Sequence, residues 1–278
     1  MFDLYEKTTF GCSRLITQCY STSFTLGIKT LDRKFHDPIY GIYGFVRYAD
    51  EIVDTFHDFD KKTLLDRYKD ETFRAIEEGI SLNPVIHSFQ KVVRQYKIEK
   101  ELIEAFLYSM EMDLYNIAYD SKTYSKYIYG SAEVVGLMCL RIFCEGNEQL
   151  YDVLKGDAQS LGAAFQKVNF LRDLKSDFSE RGRVYFPNVD FNDFSVDSKK
   201  QIEDDIQKDF DNAYRGIIGL PTGAKKGVYL AYIYYLKLFE RIKRISATNI
   251  QQERIRVPDR VKIVLLAKTW VQSGLNVI

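Results

Sequence analysis

The sequence predicts an all-α fold, a single helical bundle over residues 1–278 built around a large apolar cavity. Three observations carry this. The 278 residues hold only 5 Pro and 16 Gly, so long stretches can stay helical without a breaker. Apolar residues recur at helical intervals along most of the chain. Aromatic residues make up 14% of it, 20 Tyr and 19 Phe against a single Trp, so large rings must line either the core or a big cavity. A chain of this length can bury a sizeable core, and no internal repeat, low-complexity tract or linker divides it.

Taken in order, residues 1–30 read as helical up to the cluster Ser21-Thr22-Ser23-Phe24-Thr25, a composition that ends or caps helices. Asp37-Pro38 reads as the start of the next helix, with Pro at its first position, and that helix continues to Phe56. Residues 61–79 form a charged amphipathic helix. Asn83-Pro84 is a break and a start, followed by helices over 84–96 and 99–119; Asp113 in the second either faces the cavity or, the preferred reading, is a satisfied or solvated acid. Residues 123–144 mix rings with small side chains (Tyr124, Tyr127, Tyr129, Gly130, Ser131, Ala132, Gly136), which suits close helix packing and also leaves room for a ligand. Residues 148–178 form a long helix, and the loop after it carries Arg181, Gly182, Arg183 and Pro187. Polar loop and cap fill 188–204. Helices follow over 202–218, 225–245 and 261–272, separated by a turn at Leu220-Pro221-Thr222-Gly223 and a break across 254–260.

Charge and composition exclude several roles. Lys and Arg balance Asp and Glu at 39 each, so no field favours nucleic acid and no basic run anchors the chain to a membrane. Cys12, Cys19, Cys139 and Cys144 form no C-x-x-C pair and read as buried thiols of a reducing compartment. The acidic N-terminus is not a secretory signal. No run of about 18 apolar residues is present, and the stretch Val134–Leu140 is too short to span a bilayer and is bounded by Glu133 and Arg141. The expected location is cytoplasmic, with peripheral membrane contact left open.

Two polar columns point to chemistry. Gln166, Asn169, Asp173 and Asp177 fall at steps of three, four and four, which stacks them on one helix face. Tyr43, Arg47, Asp50 and Asp54 repeat the pattern, with Glu51 beside them. A single column proves little, because polar helix faces are usually solvated; Asp66/Asp70 and Asp205/Asp209 share the spacing and read as such faces. Two columns facing one cavity are different. Their oxygens suit Mg²⁺, and Arg47 and Arg172 suit phosphate. Converging carboxylates repel an anion unless metal neutralises them, so the expected guest is a metal-bound polyphosphate. Lewis-acid help at the leaving diphosphate would ionise a C–O bond. Tyr and Phe faces would then stabilise the carbocation by about 0.5–2 kcal/mol each, and an apolar cavity would hold a hydrocarbon tail. The residues alone suggest Mg²⁺-dependent ionisation of a prenyl diphosphate.

Five segments resemble the squalene/phytoene synthase family: Ser21-Thr-Ser-Phe24, Tyr43-Gly-Phe-Val-Arg47-Tyr-Ala-Asp50-Glu-Ile-Val-Asp54, Tyr129-Gly-Ser-Ala-Glu-Val-Val-Gly136, Gln166 through Asp177, and Arg183-Val-Tyr185-Phe-Pro187. Order and spacing match over roughly residues 12–260, and among family members the chain is most similar to bacterial phytoene synthases. The resemblance implies the isoprenoid synthase fold. It implies head-to-head condensation of two geranylgeranyl diphosphates through a cyclopropyl diphosphate to phytoene, with Mg²⁺ (or Mn²⁺) and without NADPH. It implies that Asp50, Asp54, Asn169 and Asp173 bind metal and that Asp177 supports them. It places Tyr20, Ser21, Thr22, Ser23, Phe24, Tyr43, Arg47, Gln166 and Arg172 against the substrates, more loosely Tyr235 and Arg254, and Tyr129 and Tyr185 near the reacting carbons. The chain departs from many relatives at Glu51, where a second Asp is usual, and at Glu133, where a small residue is usual.

Rival readings keep part of this. Two farnesyl diphosphates would give dehydrosqualene, or squalene if NADPH reduced the intermediate; the lack of a G-x-G-x-x-G loop does not decide, since family members that use NADPH lack one. A terpene cyclase would need one diphosphate site and leaves Tyr43, Arg47 and residues 21–24 unexplained together. A non-catalytic helical assembly protein on the same fold needs no metal ligands, which Asp50, Asp54, Asn169 and Asp173 together argue against.

Overall fold

The computed structural model describes residues 1–115, 119–181, 185–187 and 194–250. These residues are helical, with no strand among them: α1 (Phe2–Tyr20), α2 (Thr22–Lys29), α3 (Arg33–Asp54), α4 (Lys61–Glu78), α5 (Pro84–Tyr96), α6 (Lys100–Met112), α7 (Ser121–Ile128), a π turn (Tyr129–Glu133), α8 (Val134–Cys144), α9 (Glu148–Arg181), α10 (Val196–Gly219), α11 (Thr222–Lys243) and α12 (Ala247–Ile250). The final helix expected over 261–272 and the break at 254–260 lie outside the described residues.

Local chemistry sets most boundaries. The Ser21 hydroxyl accepts from Phe24 N–H and starts α2. The Asn83 side chain accepts from Val85 and Ile86 N–H ahead of Pro84 at the start of α5. Gly79 closes α4 in the left-handed region at φ 79°. Three boundaries differ from expectation by five residues or more. α3 begins at Arg33, not at Pro38, because the chain turns earlier: Asp32 N–H donates to Gly223 O on α11 (2.9 Å), and Pro38 is carried inside the helix. α6 stops at Met112, seven residues short, where the Asp113 carboxylate is engaged by tyrosines of other segments. α10 begins at Val196, ahead of the expected 202, with Ser195 as its cap.

Two hydrophobic clusters flank a cavity. One gathers α3, α5, α6 and α8 around Phe45, Phe89 and Phe106, with the Phe45 and Phe89 rings stacked at 3.7 Å. The other gathers α9, α10 and α11 around Phe210, Tyr232 and Phe239, together with the rings of Tyr127, Phe170 and Tyr185. α8 and the π turn pack on α9 and join the two halves. The continuous stretch Ser121–Cys144 is long and apolar enough to cross a membrane by length and composition, which corrects the expectation that no such segment exists; 61% of its most apolar window is buried inside the protein. The cysteines are all free, and only Cys144 is fully buried, since Cys19 is exposed and Cys12 and Cys139 are intermediate.

Candidate active site

The cavity between the clusters has a volume of about 570 Å³ and is lined along α2, α3, α8, α9, α10 and α11. Its two ends differ in chemistry. Arg47, Asp50 and Asp54 line it from the last turns of α3, and Gln166, Asn169, Arg172 and Asp173 from α9. Leu31, Ile39, Leu140, Phe143, Leu154 and Leu220 line it elsewhere. Ile39 and Asp54 are 15 residues apart on one helix, so about 22 Å separates the apolar from the charged end.

Asp50, Glu51 and Asp54 occupy the last turns of α3, which has no basic residue in its final turn, where the helix dipole already leaves partial negative charge. Arg47 answers some of it, 3.7 Å from Asp50 and in a close ion pair with Glu51, and its guanidinium lies 4.4 Å over the Tyr20 ring. Across the cavity, Arg172 Nε–H donates to Asp173 Oδ1 (3.0 Å). Burial opposes the Arg172 charge, but the Asp173 hydrogen bonds outweigh it and raise its pKa further. Burial also pushes the Tyr235 hydroxyl up, with Arg172 and the Asn169 side chain pulling the other way. Burial likewise raises Tyr43, with Arg47 and the Ser21 hydroxyl opposing.

Buried polar atoms without a partner among the described residues include Arg47 Nε, Ser131 Oγ and Asn169 Oδ1, all on cavity-lining residues. An orphaned buried acceptor is costly unless a ligand satisfies it. Asn169 Oδ1, one turn from Asp173 on a residue that lines the same cavity as Asp50 and Asp54, is therefore the observation that fits a divalent cation: every donor in the set is a hard oxygen. Among the described residues no three His, Cys, Asp or Glu side chains converge closely enough to hold a metal alone, so a guest's own oxygens and water would complete the shell.

The remaining expected residues divide. Ser23, Phe24, Tyr43, Gln166, Tyr185 and Tyr235 line the cavity, with Phe24 and Tyr43 5.1 Å apart and Tyr235 stacked on Phe165 at 4.0 Å. Tyr20, Ser21 and Thr22 do not line it: Tyr20 stacks on Arg47, Ser21 caps α2, and Thr22 is exposed. Tyr129 does not line it either and lies toward Glu133 and Glu99. The π turn Tyr129–Glu133 starts at this residue, and it is Tyr127, one residue before Ile128 at the end of α7, that lines the wall. The side chain of Asp177, and all of Arg254 and Arg183, lie outside the described residues. Asp205 and Asp209 are more than a solvated face, since both bind the buried Lys167 ammonium at 2.5 and 2.7 Å. Glu133 turns away from the cavity and accepts from Gln159 Nε2 (2.9 Å), so the departure there leaves the wall intact. Asp113 combines the two readings that its sequence position offers: it lines the cavity at 8% exposure, and it is satisfied, accepting hydrogen bonds from two tyrosines.

The squalene/phytoene synthase family pattern matches residues 17–261. The chain is 25% identical to 15-cis-phytoene synthase of Synechocystis sp., over 96% of this chain and 86% of that protein. It is 24% identical to chloroplastic phytoene synthase 1 of Solanum lycopersicum, over 91% of this chain but 66% of that longer protein. Its fold superposes on a crystal structure of a dehydrosqualene synthase with a TM-score of 0.81, at 19% identity, covering 100% of this chain and 99% of the other.

Proposed function

The chain belongs to the squalene/phytoene synthase family of head-to-head prenyltransferases, with the all-α isoprenoid synthase fold, and from that premise we propose that it is a phytoene synthase, joining two geranylgeranyl diphosphates. The observation that carries this is the polarity of one cavity: two arginines and an all-oxygen donor set at one end, apolar wall about 22 Å away. Only a guest with a polyphosphate head and a long hydrocarbon tail satisfies both ends at once. Relatives named phytoene synthase, matched over more than nine-tenths of this chain, support the longer tail.

In this reading Arg47 and Arg172 hold diphosphate oxygens, and Asp50, Asp54, Asn169 and Asp173 hold Mg²⁺, or Mn²⁺ in its place. The ion supplies Lewis-acid stabilisation of the leaving diphosphate. The aromatic side chains of Phe24, Tyr43, Phe165, Phe170 and Tyr235 line the same space and, where a ring face meets an allylic cation, stabilise it by about 0.5–2 kcal/mol each. Leu31, Leu140, Phe143 and Leu154 bind tails at about 0.8 kcal/mol per buried CH₂ and keep water from the cation. The sequence ends by proton loss, with no NADPH. The hydrocarbon product carries no polar group, so its release involves transient membrane contact, and failure to float with vesicles in the presence of substrate would remove that part.

The test is a product assay: purified protein, Mg²⁺, and either geranylgeranyl or farnesyl diphosphate, with and without NADPH, the hydrocarbon identified by mass spectrometry. Phytoene from the longer substrate, independent of NADPH, is the expected result. A farnesyl-derived dehydrosqualene or squalene would overturn the chain length and keep the site. No turnover in protein that still binds Mg²⁺ and diphosphate would replace the enzyme with a non-catalytic helical assembly protein.

A further inference from the structure

Asp113 sits where α6 ends, on the cavity wall and 8% exposed. Its Oδ2 accepts from the Tyr127 hydroxyl at 2.7 Å and its Oδ1 from the Tyr185 hydroxyl at 3.4 Å. Both tyrosines belong to an aromatic cluster. Tyr127 and Tyr185 are 5.2 Å apart, Tyr119 lies 5.3 and 5.4 Å from them, and Phe170 stacks on Tyr185 at 4.0 Å and 4°. Phe170 follows Asn169 directly, so this aromatic box borders the charged end of the cavity. Burial, and then the charge of Asp113, push the Tyr127 hydroxyl far above its ordinary pKa, so it remains a donor.

A carboxylate here has no evident place in diphosphate binding, where it would repel the guest. It does have a place in the chemistry that follows, and the inference rests on the synthase reading above. Once the second diphosphate has left, a carbocation remains in the cavity. Without a reductant it becomes a hydrocarbon only by losing a proton from a carbon next to the cationic centre, the C–H electron pair becoming the new C=C bond. Water cannot take that proton safely, because water would add to the cation and give an alcohol. The other carboxylates on the wall are engaged: Asp50, Asp54 and Asp173 in the reading above hold the metal at the diphosphate, and Asp157 lies 3.8 Å from Arg215 on α10. A carbocation is acidic enough that base strength does not limit the transfer; position decides which C–H is broken.

We propose that Asp113, held by the Tyr127 and Tyr185 hydroxyls inside this ring box, accepts the proton that ends the cation sequence. The carboxylate becomes a carboxylic acid and returns its proton to solvent as the product leaves. The two hydroxyls fix its oxygens and so fix the position of the new double bond, and the ring faces hold the cation beside it.

The experiment is Asp113→Asn and Asp113→Glu with Mg²⁺ and geranylgeranyl diphosphate, following diphosphate release, cyclopropyl diphosphate, hydrocarbon and alcohol in the same reaction. In Asp113→Asn the ratio of hydrocarbon to released diphosphate should fall at least about tenfold, with water-captured alcohols or the cyclopropyl diphosphate rising in step. Asp113→Glu should keep hydrocarbon but change its double-bond isomers. An unchanged ratio in Asp113→Asn overturns the proposal, as does a parallel loss of diphosphate release and hydrocarbon in folded protein. If Asp113→Asn does not fold, Tyr127→Phe decides: it keeps the ring and the carboxylate, and an isomer ratio changed by less than about threefold overturns the proposal. Wild-type protein that makes no hydrocarbon from either substrate marks a failure of the synthase reading itself, which is distinguishable because it precedes any comparison of variants.

Discussion

Gly130 lies in the π turn, pressed against α6. A Cβ added there would stand 2.5 Å from the Ala105 carbonyl oxygen and 2.8 Å from Ser109 Cβ. Ordinary contact needs about 3.5 Å, so Gly130→Ala must drive the two helices apart by about 1 Å. The Ala105 oxygen is backbone and cannot rotate aside. Overpacking of this kind belongs near the top of the usual range of about 1–3 kcal/mol. Alanine returns about 0.4–1 kcal/mol through the unfolded chain, which leaves about 2 kcal/mol of net destabilisation. The unfolding entropy of 278 residues is about 0.6 kcal/mol/K, so the melting temperature should fall by about 3–4 °C. Gly156→Ala in α9 is the control, since nothing lies within 4 Å of its added Cβ; it should raise the melting temperature by about 1–2 °C. Thermal unfolding followed by circular dichroism reads both. Because α6 carries Met110 and ends at Asp113, both on the cavity wall, Gly130→Ala should also cost about tenfold in turnover. A melting temperature unchanged or raised in Gly130→Ala would refute the claim that this close approach is a constraint.

Asn169→Leu removes the orphaned oxygen while keeping the branched shape and the number of heavy atoms, and should lower kcat/KM for a prenyl diphosphate by at least about tenfold, with weaker Mg²⁺-dependent diphosphate binding by calorimetry; wild-type affinity would show that the oxygen meets no ligand. Ala158→Leu adds three carbons to the cavity wall and should exclude about as many from the tail. At about 0.8 kcal/mol each that is about 2.4 kcal/mol, or a shift of about 50-fold toward farnesyl over geranylgeranyl diphosphate, and competition between the two substrates measures it. Burial holds the Glu133 carboxyl above its usual range, so the folded protein gains stability from the protonated group and loses it as pH rises from the unfolded value through the raised one. Glu133→Gln, which can still accept from Gln159, should therefore exceed wild type in stability near about pH 7 and converge with it near about pH 4; a difference independent of pH would contradict the sign.

How much of this was legible in the sequence follows from what a period can report. The helices were visible because scarce Gly and Pro and apolar recurrence are properties of one segment at a time. So were the two polar columns, since Asp50/Asp54 and Asn169/Asp173 share a face by spacing alone, and so was the cap at Ser21. The family resemblance came from these local patterns in order. What escaped was set between segments. Asp113 falls in helical register with Phe106 and Met110, which puts it on an inward face, but its partners Tyr127 and Tyr185 lie on α7 and beyond α9, and no spacing reports them. Tyr129 is placed by motif alone, and a motif does not report which way a side chain turns at a π turn that is tied to the close contact of Gly130 with α6. Asp209 looked solvated until α10 packed on α9 and delivered it to Lys167. The sequence by itself determined which residues share a helix face, because backbone geometry fixes that within a few turns. Only the tertiary structure decided which faces meet, because that choice is made by the summed packing of segments far apart in the chain, and no single stretch holds that sum.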